Sequence, residues 1–516
     1  MNGAESLVRT LVASDVDICF ANPGTSEMHF VAALDHVPGI RCVLGLAEGV
    51  VTGAADGYAR IAGKPAATLL HLGPGLANGL SNIHNARKAN SPMVNVIGEH
   101  ATYHLQYDAP LTADIEGLAR PLSHWIGYAR SAGDVARLGA EAVAAARSNA
   151  GQIAALILPA DTAWDAAPAG AAARIEPPAR PKVDEAAIRA GAAALKRGGA
   201  NAMLLLGGAA LYGRALRLAG RIQAATGCRL SGQGANARIE RGPDLPDVGR
   251  IPFVVDQAVA YLKPVAELVL LGARNPVAFF AYPGKPSLLA AADCTLTEVA
   301  VIEADLEDAL ERLADALAAP KDFTLPPKPA LPAMPSGGVT LDGIAAVVAR
   351  LLPDNAILAD ESVTSGRGIF GALAGGVRHD WLQNMGGSIG YSMPVAVGAA
   401  LAAPDRKVVS LTGDGSAFYT LQALWSMARE NLNITAVVFA NRRYAILRNE
   451  LSNVGAANPG PRAIDMLTLD RPNPDWVKLA EGHGVAAERA VDLDGFAAAL
   501  GRALAERGPR LIELVF

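Results

Sequence analysis

Residues 411–420 read LTGDGSAFYT, an apolar run that stops at Gly413-Asp414-Gly415-Ser416 and then resumes with large apolar residues. Upstream, KVVSLTGDG (407–415) has the unbroken Val/Leu character of a strand buried on both faces. Downstream, FYTLQALWSMAREN (418–431) has the spacing of a helix. A buried strand, a turn of small residues and a helix form the repeating unit of a parallel α/β sheet, whose ligands bind at the carboxyl ends of the strands. The turn puts one acid between two glycines at such an end.

The same rhythm extends outward. NAILADES (355–362), ITAVVFAN (434–441) and RLIELVF (510–516) supply further strands around it. An earlier set comprises DICFANPG (17–24), RCVLGL (41–46), PAATLLHLGPG (65–75), MVNVIGEH (93–100) and QIAALILPAD (152–161), with helical patterns between. The Ala/Pro-rich stretch 163–183 reads as a linker, and a middle set follows with NAMLLLGG (201–208), AELVLLGA (266–273) and VAVIEAD (299–305). The proline-rich 320–338 marks its exit. The expectation is three doubly wound parallel-sheet α/β domains, at 1–165, 183–320 and 338–516.

A chain of 516 residues with 51% hydrophobic and 5% aromatic content, 53 glycines and 33 prolines suits this plan and is too long for one core. The net charge of -5, with Lys and Arg scattered, argues against nucleic acid as a partner. Cys19, Cys42, Cys228 and Cys294 include no C-x-x-C pair and read as buried thiols in a reducing compartment. MNGAESLVRT lacks the pattern of a secretory signal, and Trp381–Pro404, though uncharged, is interrupted by Gln383, Asn384, glycines and Pro394. A cytoplasmic protein with no membrane contact is expected.

Two readings of Asp414 are open. It either caps the helix that follows, or it holds a divalent cation that lets a diphosphate sit against the turn amides, since an acid beside phosphates is otherwise repulsive. The second reading needs another oxygen ligand from a neighbouring strand end, and Asn441, 27 residues later, ends ITAVVFAN.

GDGS, the 27-residue interval and NRRYAIL (441–447) resemble the cofactor motif of the thiamine diphosphate enzymes, and nearest the acetolactate synthase and benzoylformate decarboxylase group, as a short acetolactate-synthase-like member. The resemblance spans the chain. It implies that the first domain binds the cofactor's pyrimidine and the third its diphosphate, with Mg²⁺ held by Asp414, Asn441 and the backbone carbonyl of Arg443. Gly413, Gly415, Ser416, Tyr444, Ala445 and Ile446 would border the cofactor on that side. Where the family usually has two adjacent asparagines, this chain has Ala440 and Asn441, followed by Arg442.

AEGVVTGAADGYAR (47–60) resembles the family's glutamate motif, with Glu48 as the catalytic carboxylate that bonds N1' of the aminopyrimidine and so promotes proton removal from the thiazolium ring. NMGGSIGYSMP (384–394) resembles the cofactor cradle: the Gly387 carbonyl would accept from the 4'-amino group, Ser388 would line the cradle and Ile389 would wedge the cofactor into its bent form. Thr364 in DESVTS, with Asn22, Pro23 and Gly24, would add contacts. His71 would be an acid or base, as in benzoylformate decarboxylases, and Thr25, Pro110, Leu111, Leu447 and Glu450 would shape the substrate pocket. Acetolactate synthases usually have Phe-Gln at Pro110-Leu111, and benzoylformate decarboxylases a second histidine where Phe279 and Phe280 stand.

The implied function is a thiamine diphosphate- and Mg²⁺-dependent lyase that decarboxylates a 2-oxo acid, with carboligation to a second carbonyl possible. The alternatives are an acetolactate-synthase-like carboligase and a non-catalytic paralogue acting as a subunit. The middle domain shows no dinucleotide fingerprint, so FAD is not expected. A homodimer or homotetramer with sites at the subunit interface is implied.

Overall fold

The computed structural model describes residues 1–168, 170–456 and 458–516. Three α/β sheets emerge. The first contains β1 (Ile18–Ala21), β2 (Arg41–Leu44), β3 (Ala66–Leu70), β4 (Met93–Glu99), β5 (Trp125–Tyr128) and β6 (Ile153–Pro159), all parallel, in the order β2-β1-β3-β4-β6-β5. The chain leaves β1 for β2 on one side and returns to β3 on the other. A crevice therefore opens between the carboxyl ends of β1 and β3, where Asn22–Thr25 and His71 follow directly.

The second sheet is built from β7 (Ala202–Leu206), β8 (Arg229–Gly232), β10 (Gly249–Arg250), β11 (Glu267–Leu271) and β12 (Thr295–Ala300). Between β8 and β10, β9 (Ile239–Arg241) leaves this sheet and pairs antiparallel with the third. The third sheet is otherwise parallel: β13 (Ala356–Glu361), β14 (His379–Gln383), β15 (Val408–Gly413), β16 (Ile434–Ala440), β17 (Ala486–Ala490) and β18 (Arg510–Val515), in the order β17-β18-β16-β15-β13-β14-β9. Its switch point lies between β13 and β15, which end at Glu361 and at the GDG turn.

The first and third sheets meet where helix Glu48–Ala62 crosses helix Ser392–Ala402. Glycines set the closeness: a methyl group at Gly57 would stand 2.1 Å from the Val395 carbonyl oxygen, and one at Gly398 1.8 Å from that of Ala54. Beside this crossing the buried Arg60 grips Asp56 (Nε–Oδ1 2.7 Å, Nη2–Oδ2 2.6 Å) and donates to the Gln383 carbonyl, the Tyr391 hydroxyl and the Ala237 carbonyl at 2.7, 2.8 and 3.1 Å. One fully partnered guanidinium thus ties segments next to all three sheets.

Two expectations change. Helical geometry begins at Asp414 itself, but only as one turn, Asp414–Ala417, before a 3₁₀ turn and helix Ala423–Arg429. The macrodipole of so short a piece is small, so the turn amides, not a long helix, must carry any anion contact. The thiols are not all buried: Cys19 and Cys228 are, whereas Cys42 is exposed on the edge strand β2 and Cys294 is half-buried. The uncharged stretch from Trp381 divides into the end of β14, a loop and helix Ser392–Ala402, and among the described residues no helix is long and apolar enough to cross a membrane.

Candidate active site

At the end of β15 the Asp414 carboxylate is 2% exposed. Oδ1 accepts from the Gly415 amide at 2.9 Å and Oδ2 from the Arg442 amide at 2.6 Å, which joins the GDG turn to the segment after β16. Asn441 turns its Oδ1 onto the Arg443 amide at 3.1 Å. Burial pushes the Asp414 carboxyl up to about 6, against the lowering effect of those amides, and no Lys, Arg or His lies within ion-pair distance among the described residues. A buried carboxylate, an amide oxygen and a backbone carbonyl are the oxygen donor types that suit Mg²⁺. Tyr444 packs against Gly415, where a methyl group would come within 2.5 Å of its ring; a methyl at Gly413 would meet nothing within 4 Å, leaving room in front of the turn. Ser416 is buried behind the turn, and Ala445 and Ile446 open helix Ala445–Asn453 half-buried. These residues fit a metal-bound diphosphate.

The cradle loop is fixed from behind. Gly387 has φ +77° and its amide donates to the Asn384 side chain at 2.8 Å. Asn85 donates to the Ser388 carbonyl at 2.8 Å and accepts from its amide at 3.2 Å. Phe279, between β11 and β12, lies over Gly387, 3.0 Å from where a methyl group would stand, in an aromatic cluster with Phe253 and Phe280. The buried Glu361 accepts from the Tyr391 and Ser392 amides at 3.0 and 3.2 Å, and burial raises its carboxyl to about 7. Thr364 is half-buried, immediately after Val363.

In the first sheet Glu48 opens its helix with Oε2 accepting from Asn78 at 3.1 Å. A methyl group at Gly75 would stand 3.2 Å from both Glu48 Oε1 and His71 Cβ, so both candidate catalytic residues adjoin one glycine. His71 is held in turn by Glu27, whose Oε2 lies 2.8 Å from His71 Nδ1 and also accepts from the Gly24 amide at 2.8 Å. Burial pushes the Glu27 carboxyl up, while His71 opposes that shift. With Glu27 ionised, the proton between them sits on Nδ1 and leaves Nε2 for exchange. Glu48 and Ile389 line one cavity of about 310 Å³ with Asn78, Tyr419 and Thr420.

Backbone strain marks the same places. Of the four left-handed residues among the described residues that are neither Gly, Asn nor Asp, three adjoin predicted site residues: Leu72 beside His71, Val363 beside Thr364 and Arg442 beside Asn441. A β-branched valine at φ +47° is an outlier of the kind that concentrates at functional sites.

Not every predicted residue converges. The cavity wall reaches neither Asp414 nor Asn441, and among the described residues no hydrogen bond joins them to Glu48 or His71. Thr25 and Pro110 are exposed, and the half-buried Leu111 packs against the core instead. Leu447 is exposed, while Glu450 faces the Tyr282 hydroxyl and helps raise that phenol to about 12. Reading the sequence missed Glu27, Asn78 and Glu361. Only Glu27 left a local trace, three residues after Gly24 as in a capping turn.

Residues 1–118 match the thiamine pyrophosphate enzyme N-terminal TPP binding domain, and residues 374–514 the C-terminal TPP binding domain. The chain is 52% identical to a Mycobacterium tuberculosis protein that bears a provisional acetolactate synthase large-subunit name, IlvX, over 100% of this chain and 99% of that one. It is 30% identical to a benzoylformate decarboxylase of Pseudomonas aeruginosa, over 96% and 95% of the two chains. Its fold is similar to that of a thiamine diphosphate-dependent 4-hydroxybenzoylformate decarboxylase from Rhodococcus jostii RHA1, with TM-score 0.88, 26% identity and coverage of 99% and 98%.

Proposed function

Since the chain belongs to the thiamine diphosphate enzymes, in the group of 2-oxo acid decarboxylases and acetolactate synthase-like proteins, we propose that it is a Mg²⁺-dependent lyase that decarboxylates a 2-oxo acid. The observation that carries this reading is the placement of Glu48 and His71 next to the same glycine, Gly75, each with a fixing partner. Thiamine diphosphate, when bound, supplies the electron sink for the carbanion left by loss of CO₂. Asp414, Asn441 and the Arg443 carbonyl hold Mg²⁺, and Gly413–Ser416 with Tyr444 border the diphosphate. Gly387, Ser388 and Ile389 orient the ring system.

The protein's own groups manage protons. Asn78 immobilises Glu48 through Oε2, so Oε1, which has no hydrogen bond among the described residues, is the atom that shares a proton with the cofactor. Glu27 orients His71 so that Nε2 gives or takes the proton on the reacting substrate. Asn22–Gly24, which follow β1 beside His71, border the acyl group. Because the Glu48 cavity stops short of Asp414, and Phe418, Tyr419 and Leu46 leave apolar surface near it at 39%, 59% and 46% exposure, the complete site forms between two copies of the chain.

The test is incubation with pyruvate and a panel of other 2-oxo acids, with and without thiamine diphosphate and Mg²⁺, following CO₂. Cofactor-dependent release is expected for at least one acid. Failure of every acid despite bound cofactor refutes the reading. The provisional name of the 52% identical relative favours a second reading, carboligation, and product analysis separates the two: an aldehyde for the lyase, a 2-hydroxy-3-oxo acid for the carboligase.

A further inference from the structure

The turn after β16 presents Arg442 next to the metal-ligand set. Its backbone is pinned on both sides: the amide donates to Asp414 Oδ2 at 2.6 Å and the carbonyl accepts from the Leu469 amide at 2.7 Å. Between these bonds the residue takes φ +57°, a conformation that costs an L-residue with a side chain on the order of 1 kcal/mol and costs glycine nothing. A long cationic side chain is nevertheless present, and it is half-buried.

The guanidinium has no hydrogen-bond or ion-pair partner among the described residues, although its charge reaches Asp414 and opposes the effect of burial on that carboxyl. Among the other sheltered arginines, Arg250 also has no hydrogen-bond or ion-pair partner among the described residues but stacks on the Phe370 ring, 4.9 Å from its centroid. Others are partnered: Arg60 holds Asp56, Arg238 holds Asp380, Arg241 holds Asp247 and Arg448 donates to Thr468. A strained, sheltered cation beside the GDG turn has the planar fork of donors that suits a phosphate.

We propose that Arg442 is a binding residue for the diphosphate of thiamine diphosphate, making a charge-assisted contact in addition to that of the divalent cation, so that this chain retains the cofactor when metal is withheld. The proposal rests on the cofactor reading above. It gives the added charge a purpose: Asp414 repels a diphosphate when no metal intervenes, and Arg442 offsets that repulsion from the adjacent residue.

Calorimetric titration of the full-length protein with thiamine diphosphate, in Mg²⁺ and in EDTA, tests it. Arg442→Gly is the main variant because glycine relieves the left-handed backbone and leaves the fold intact, which a thermal melt checks. Removing the contact weakens binding about ten-fold or more, with the larger loss in EDTA, and Arg442→Lys recovers part of it. Thiamine, which lacks phosphate, binds wild type and Arg442→Gly alike, and inorganic pyrophosphate displaces the cofactor less readily from the variant. Equal affinities of wild type and Arg442→Gly in both conditions, or loss of all binding by the wild type once EDTA is added, overturn the proposal. Absence of binding by the wild type even in Mg²⁺ overturns the cofactor reading itself, and the role of Arg442 with it.

Discussion

Single carboxylates in this site act by where they are fixed. Glu27 is buried and shares one oxygen between the Gly24 amide and His71, so it serves as a positioning residue for the imidazole. Glu27→Gln preserves the shape but weakens the hold on Nδ1, and kcat/KM should fall about ten-fold or more. In a His71→Ala background the same substitution should cost little further, because the two act as a unit. Additive losses in the double variant would show that Glu27 supports only the turn at Gly24. Asp414 and Asn441 were legible as polar residues ending apolar strands 27 positions apart, whereas Glu48 and His71 were legible only through the resemblance of their motifs to those of the family. Glu27 was not, since its meaning comes from His71, 44 positions away and adjacent only in the fold.

Elements, more than residues, decide whether the two sheets meet. Helices Glu48–Ala62 and Ser392–Ala402 can cross only because Gly57 and Gly398 face backbone carbonyls at distances no side chain tolerates. Gly57→Ala should therefore cost about 1–3 kcal/mol or more, read as a lower thermal midpoint, whereas Gly63→Ala, where an added methyl would meet nothing within 4 Å, carries only the strain of its left-handed backbone. The amino end of helix Ser392–Ala402 also carries a pH dependence. Glu361 sits there with its carboxyl raised from 4.5 to about 7 by burial. Across that window the folded chain keeps a proton that the unfolded chain has released, so stability falls as pH rises from roughly 4.5 to 7. Glu361→Gln removes the titration: its thermal midpoint should start lower, with a bond to the Tyr391 or Ser392 amide lost, and should fall less than the wild type's between pH 5 and 8. An unchanged slope would place the titration elsewhere. The long apolar strands were legible, but β5, β8, β10, β14 and β17 were not, and β12 lies at Thr295–Ala300 instead of 299–305. The departure of β9 to the third sheet left no trace, because three residues of ordinary composition give no signal of their partner.

On the scale of the whole molecule, the two halves of the candidate chemistry lie on different sheets of one chain without meeting. Glu48 lines a cavity with Ile389 and Thr420, whereas Asp414 and Asn441 lie outside its wall, and Phe418 and Tyr419, which follow the GDG turn in the chain, leave aromatic surface exposed. A two-fold pairing would bring Glu48 of one protomer to the GDG turn of its partner and cover that surface in the same step. Complementation between two inactive chains separates this arrangement from a self-contained one. Glu48→Gln removes the proton-sharing carboxylate and Asp414→Ala the metal ligand, so each variant alone should be inactive. Random pairing of co-expressed chains makes about half of the dimers mixed, and in each mixed dimer one site carries both lesions while the other carries neither, so about a quarter of wild-type activity should return. If each site drew both residues from one chain, every site in the mixture would keep one lesion and none would recover. Purifying the mixed species through different tags on the two chains sharpens the contrast, since its turnover per dimer should be about half that of the wild type, falling with dilution below the dissociation constant of the pair and returning on reconcentration.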